Sequence, residues 1–239
     1  MSDLAFANPL FVALDMTDAD AAEACGRALK ATVGGLKLGL EFFLANGPDG
    51  VRALGRCDLP LFLDLKLHDI PNTVAGALNA LAPLAPTLVT LHAQGGAEMM
   101  RRAAHTARAA AAALKVPPPK LLAVTVLTSL DGDDLKAMGG DGDVAAQTER
   151  LARLAQEAGL DGVVASPREV ARLRQILGPD MLLVVPGVRP QGAPHGDQKR
   201  VMTPRQALDA GADVLVIGRP ITQAPDPAAA ARAIAASLV

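Results

Sequence analysis

The chain has 239 residues, 50% of them hydrophobic and 20% charged, with a formal net charge of -2. High apolar content with low net charge argues against disorder, and the near-neutral balance argues against a nucleic-acid binder held by bulk charge. With no Trp, no Tyr and five Phe, stacking platforms for single-stranded nucleic acid are all but excluded.

Short apolar runs recur along the chain. They read LFVALD (10–15), GLKLG (35–39), LFLDLK (61–66), LVTLH (88–92) and LLAVTVL (121–127), then GVVAS (162–166), LLVVPG (182–187) and VLVIG (214–218). Most are apolar on both faces, the pattern of parallel strands covered by helices. Between them, Asp18 to Lys30, Thr73 to Leu84 and Ala97 to Leu114 carry helical spacing. A capping residue followed by proline marks three later helix starts, at Ser166-Pro167, Thr203-Pro204 and Asp226-Pro227. Gly159, Gly178 and Gly211 stand where helices should stop. Eight strand–helix units without a break in composition predict a single (β/α)8 barrel domain over residues 1–239. A doubly wound open sheet is the alternative, weakened because no G-x-G-x-x-G follows the first strand.

Cys25 and Cys57 make neither a disulfide framework nor a metal-ligand spacing, and read as reduced thiols of a cytoplasmic protein. The first fifteen residues lack the pattern of a signal peptide, and no apolar run is long enough for a membrane span.

In such a barrel the chemistry belongs at the carboxyl ends of the strands. Polar residues cluster there: Asp15, Lys37, Asp64, Lys66, His92, Thr128, Ser129, Arg189 and Arg219. The strongest local signal is FLDLKLHDIPNTV, 62–74. Side chains alternate along a strand, so Phe62, Asp64 and Lys66 share one face, toward the barrel mouth, and Leu63 and Leu65 the other. A charge buried there needs compensation. Asp64 and Asp69 with Lys37 and Lys66 could supply it as one alternating network. For an isolated Asp-x-Lys pair, a structural ion pair is the better reading; D-x-K-x-x-D joined by polar residues on other strands favours function. Asp15 reads equally as a ligand contact or a turn aspartate, and His92 as a packed or hydrogen-bonded histidine near the site.

DLKLHDIPNT resembles the signature of the orotidine 5′-phosphate decarboxylase family, in its shorter bacterial type. The resemblance runs the length of the chain, through Asp15, Lys37 in GLKLG, Leu127-Thr128-Ser129, Pro186-Gly187-Val188-Arg189, Asp197-Gln198-Lys199-Arg200 and Ile217-Gly218-Arg219-Pro220. D-x-K-x-x-D also occurs in related barrel enzymes acting on sugar phosphates, one of them metal-dependent; the IPNT continuation and the G-x-x-D-Q-x-R loop favour the orotidylate branch.

The resemblance implies decarboxylation of orotidine 5′-monophosphate to uridine 5′-monophosphate in pyrimidine biosynthesis, with no cofactor and no metal. Lys66 protonates the C6 carbanion, Asp64 lies by the substrate carboxylate and orients Lys66, and Lys37 balances Asp64 and contacts ribose. Asp69 and Thr73 reach into a neighbouring subunit of a homodimer, with Ile70 a substrate contact beside them. Asp15 bonds ribose hydroxyls, and Thr128 and Ser129 meet the pyrimidine edge. Arg189, Gly218 and Arg219 receive the phosphate, which barrels often hold after strands seven and eight. The long polar connection after Arg189 suggests a lid, from which Gln198 reaches the nucleotide. The competing readings are a metal-dependent sugar-phosphate decarboxylase or aldolase and a non-catalytic nucleotide-phosphate binder. No nucleic acid or membrane partner is expected.

Overall fold

The computed structural model describes residues 6–189 and 202–238. Eight parallel strands close on themselves in chain order: β1 (Leu10–Ala13), β2 (Gly35–Gly39), β3 (Leu61–Leu67), β4 (Leu88–His92), β5 (Lys120–Val124), β6 (Gly162–Val164), β7 (Leu182–Pro186) and β8 (Val214–Ile217). Closure is made by β1 against β8, with Phe11 opposite Val216. The (β/α)8 barrel predicted by the apolar runs is therefore the observed fold, and the open-sheet alternative falls away.

Strand alternation divides the apolar residues into two cores. Phe11, Phe62, Leu88, Leu122, Leu182, Val184, Val214 and Val216 fill the barrel interior. Their neighbours one residue away, such as Leu10, Val12, Leu36, Leu38, Leu63 and Leu215, face the surrounding helices. Both faces of each strand are thus removed from water, which is why the runs read as continuously apolar. Gly35 belongs to the inner layer. A Cβ there would stand 2.2 Å from the Phe11 ring, so the missing side chain makes room for that phenylalanine in the layer.

The helices are α1 (Ala19–Leu29), α2 (Leu40–Gly55), α3 (Pro71–Leu81), α4 (Gly96–Leu114), α5 (Gly132–Ala137), α6 (Val144–Glu157), α7 (Val170–Leu177), α8 (Pro204–Asp209), α9 (Arg219–Thr222) and α10 (Pro227–Ala236). The Asp18, Thr203 and Asp226 side chains cap α1, α8 and α10. Ser166-Pro167 opens a 3-10 turn, Pro167–Glu169, that runs into α7. Gly159, Gly178 and Gly211 follow helix ends with positive φ of 79°, 76° and 107°, a backbone region costly for other residues.

Three details depart from the sequence reading. Helix α3 starts at Pro71, ahead of Thr73, and ends at Leu81. Helices α2 and α5 had no recognised signal, and α6 only its stop at Gly159; α2 is interrupted at Gly47 (φ 58°) before Pro48, which hides its periodicity. Strands β1 and β5 end at Ala13 and Val124, so Asp15 and Thr128 stand on the loops beyond them. Among the described residues no helix is long and apolar enough to cross a membrane.

Candidate active site

A cavity of about 530 Å³ opens at the carboxyl ends of the strands. Of the residues singled out in the sequence, it brings together Asp15, Lys37, Asp64, Lys66, Thr128, Arg189, Gly218 and Arg219. Among the described residues, four cations and three carboxylates line it, Glu41 being the third carboxylate. Charge is therefore concentrated at one end of a chain whose net charge is only -2.

Register explains the assembly of the charged floor. Ala13 pairs with Lys37, and Gly39 with Asp64, so β1, β2 and β3 deliver their last inward side chains to one place. Lys37 Nζ donates to Asp15 Oδ1 at 2.9 Å and lies 3.6 Å from Asp64 Oδ2. Lys66 Nζ lies 2.9 Å from Asp64 Oδ1. The result is an alternating chain, Asp15–Lys37–Asp64–Lys66. A network of alternating charge was expected, but its fourth member is Asp15 rather than Asp69. Asp69 lies past the end of β3, where its carboxylate accepts the Ile70 N–H at 2.6 Å, while Asp15 is carried beside Lys37 by the β1–β2 register. Gly39 keeps the space open: a Cβ there would stand 3.0 Å from Lys37 Nζ and 3.1 Å from Asp15 Oδ1.

Lys37 and Asp64 are the enclosed members, with side chains 11% and 15% exposed; Lys66 is 31% exposed. Burial pushes the Asp64 carboxyl up, but Lys37 and Lys66, with hydrogen bonds from Lys66 and Thr90, outweigh it and hold the group below its ordinary value. Asp64 therefore stays ionised between two ammonium groups.

Lys66 reaches the mouth by an unusual backbone. Its φ is 51°, in the left-handed region that disfavours a residue bearing Cβ. Strand alternation did point Lys66 and Asp64 to the same cavity, but nothing in a lysine signals that conformation.

Besides Glu41, two polar residues of the site were not singled out in the sequence. Thr90 is fully buried and binds both Asp64 and the Lys66 backbone. Its one available hint was a hydroxyl in the middle of an apolar strand. Gln223, one residue past α9, also lines the cavity.

Arg189 is 7% exposed, and its Nη1 donates to the Val188 carbonyl at 3.0 Å. Arg219, at the start of α9, is exposed. Gly218 before it would bring a Cβ to 3.3 Å from that of Ala13, so its bare backbone lets β8 and β1 close together beneath the rim. The His92 ring lies 5.2 Å from that of His68, and its Nδ1 is buried with no hydrogen-bond partner among the described residues. Burial, followed by the nearby His68 and Lys66 charges, lowers its pKa against an opposing pull from Asp64.

Asp69, Ile70, Thr73 and Ser129 do not line the cavity; all four are exposed. Gln198 and the connection suggested as a lid lie outside the described residues. Among the described residues no cluster of three or more His, Cys, Asp or Glu could hold a metal ion.

Comparison with known families places the chain in a group. The family model described as "Orotidine 5'-phosphate decarboxylase / HUMPS family" matches residues 8–234. The chain belongs to this family. An orotidine 5'-phosphate decarboxylase of Rhodospirillum rubrum is 58% identical over 233 residues, covering 97% of this chain and 94% of the relative. One from Moorella thermoacetica is 54% identical over 230 residues, covering 96% of this chain and 91% of the relative. Among solved structures, orotidine 5'-phosphate decarboxylase from Lactobacillus acidophilus superposes with a TM-score of 0.83 at 38% identity, covering 97% of this chain and 99% of that one. In this orotidine 5'-phosphate decarboxylase / HUMPS family member, the region of strongest resemblance, 64–73, begins in β3 and ends in the first turn of α3.

Proposed function

We propose that this protein decarboxylates orotidine 5′-monophosphate to uridine 5′-monophosphate and CO2, a step of pyrimidine biosynthesis, with neither cofactor nor metal. The observation that carries the reading is the Asp15–Lys37–Asp64–Lys66 chain at the floor of a cavity whose lining also includes Arg189 and Arg219. Family membership and the names of the relatives support it.

The C6–carboxylate bond breaks heterolytically, CO2 departs, and the electron pair remains on C6. That pair lies in the ring plane and gains little from the π system, so stabilisation must come from charge already in place. Lys66 supplies it and then donates an Nζ proton to C6. The neutral amine regains its proton from solvent. Asp64 holds Lys66 and faces the departing carboxylate. Lys37 and Asp15 contact the ribose, Thr128 and Ser129 the pyrimidine, and Arg189, Arg219 and the Gly218 backbone the phosphate. Binding energy from the phosphate, remote from C6, is then available to the transition state.

Asp69 and Thr73 serve the neighbouring site of a homodimer, and Ile70 beside them is a substrate contact. Their exposure on one chain, together with exposed Leu40 and Leu44 on α2, favours this arrangement. The chain acts as one domain, in the cytoplasm, without nucleic acid or membrane.

The test is the loss of orotidylate ultraviolet absorbance in a strong chelator. Turnover is expected, and Lys66→Ala should lose nearly all of it while keeping the fold. Absence of turnover by folded dimer overturns the assignment, and a Lys66→Ala protein that keeps most activity overturns the role of Lys66. The second reading is a metal-dependent sugar-phosphate enzyme, favoured by the breadth of the family description; activity abolished by chelator and restored by magnesium would establish it instead.

A further inference from the structure

We infer that Thr90 is a positioning residue, whose single hydroxyl fixes both the backbone and the counter-ion of Lys66. The activity arm of this inference rests on the decarboxylase reading above; the geometry does not.

Three observations converge on it. First, the β3–β4 register breaks here. Leu63 pairs with Val89, and the next pair is Leu67 with Leu91. Four steps along β3 therefore face two along β4, and Asp64, Leu65 and Lys66 fall in the irregular stretch. Second, Lys66 takes its positive φ of 51° inside that stretch. Third, Thr90 stands opposite the break, fully buried. Its Oγ1 accepts the Lys66 N–H at 2.9 Å and donates to Asp64 Oδ1 at 3.0 Å.

The hydroxyl therefore substitutes for a ladder partner lost in the bulge. A buried backbone N–H needs an acceptor, and an ordinary apolar strand residue offers none from its side chain. At the same time it occupies the Asp64 oxygen that meets Lys66 Nζ at 2.9 Å, while the other oxygen faces Lys37 at 3.6 Å. With both oxygens engaged, the carboxylate cannot rotate freely, and the ammonium beside it is held in direction as well as distance. A bulge that re-aims a side chain beside an active site is a recurring device; here Thr90 is what pins it.

The experiment compares Thr90→Val, which keeps the shape and removes the hydroxyl, with Thr90→Ser, which keeps the hydroxyl. In the valine protein kcat should fall on the order of 10–100-fold, the scale of a small misplacement of a reacting group, with KM nearly unchanged. The serine protein should recover most of kcat. Amide exchange without substrate supplies an independent readout: Lys66 N–H should exchange faster in the valine protein and stay protected in the serine protein. If the valine protein does not fold, Thr90→Cys, a weaker donor and acceptor, should give an intermediate loss and intermediate protection. A valine protein with wild-type kcat, or one whose loss lies wholly in KM, overturns the inference; so does a serine protein as impaired as the valine one, or unchanged Lys66 exchange. If the wild-type protein turns over no orotidylate, the functional assignment fails, and the exchange measurement still decides the role of Thr90.

Discussion

Lys66 holds its side chain in the site at the expense of a left-handed backbone, and that cost is measurable. Its φ of 51° brings Cβ close to the following carbonyl, a penalty of about 1–2 kcal/mol absent in glycine. Comparing Lys66→Gly with Lys66→Ala isolates it, because both variants lose the ammonium and the pairing with Asp64. Glycine also gains freedom in the unfolded chain, which offsets roughly 0.4–1 kcal/mol. At the midpoints of these ranges the glycine protein is more stable than the alanine protein by about 0.8 kcal/mol, or about 2–3 °C in Tm for a chain of this size. Ordinary helix or strand positions show the opposite order. Lys115, the exposed residue that follows α4 with φ 57°, provides a control: its glycine variant should also exceed its alanine variant, away from any charge network. Urea unfolding of the four proteins at neutral pH gives the differences directly. An alanine protein at position 66 as stable as the glycine one would refute the claim that strain is stored there.

Three further outcomes follow from the packing and charges. Gly35→Ala should destabilise by about 1–3 kcal/mol through overpacking, because its Cβ would meet the Phe11 ring at 2.2 Å; thermal melting checks it, and an unchanged Tm would mean that the inner layer has slack. His92 has a folded pKa below its ordinary 6.5, so the unfolded chain binds the proton first as pH falls. Its contribution to stability should be full above pH 6.5 and shrink as pH drops from there through the folded value; His92→Gln should flatten that part of the urea-stability profile, and an identical slope would refute the assignment. Arg219→Ala should weaken uridine 5′-monophosphate binding about 10–150-fold, the worth of a hydrogen bond to a charged group, and leave uridine itself nearly unaffected in calorimetry; equal losses for both ligands would remove Arg219 from the phosphate.

Much of the architecture was legible in residue order alone. Strands covered on both faces need apolar side chains at successive positions, so runs such as LFVA and LLVV announce a barrel sheet before any contact is known. Of the capping residues read before a proline, Thr203 and Asp226 act within a few residues of themselves and are equally local; the Ser166 hydroxyl finds no partner among the described residues. Alternation along 62–66 sent Asp64 and Lys66 to the mouth, since that rule needs only the strand.

What tertiary structure decided is what depends on register. Lys37 meets Asp15 as well as Asp64 because β1 stands against β2 with Ala13 opposite Lys37; spacing along the chain had offered Asp69 as the second carboxylate of the network. Thr90 lies 26 residues from Asp64 and 24 from Lys66, and a threonine inside LVTLH is an ordinary strand residue until a bulge is placed across from it. The helix α2 stayed hidden because Gly47 and Pro48 interrupt its period. Local rules therefore determined which elements form and which faces they bury. Closure of the barrel determined which charges meet, because an ion pair depends on the distance between side chains that no single strand controls.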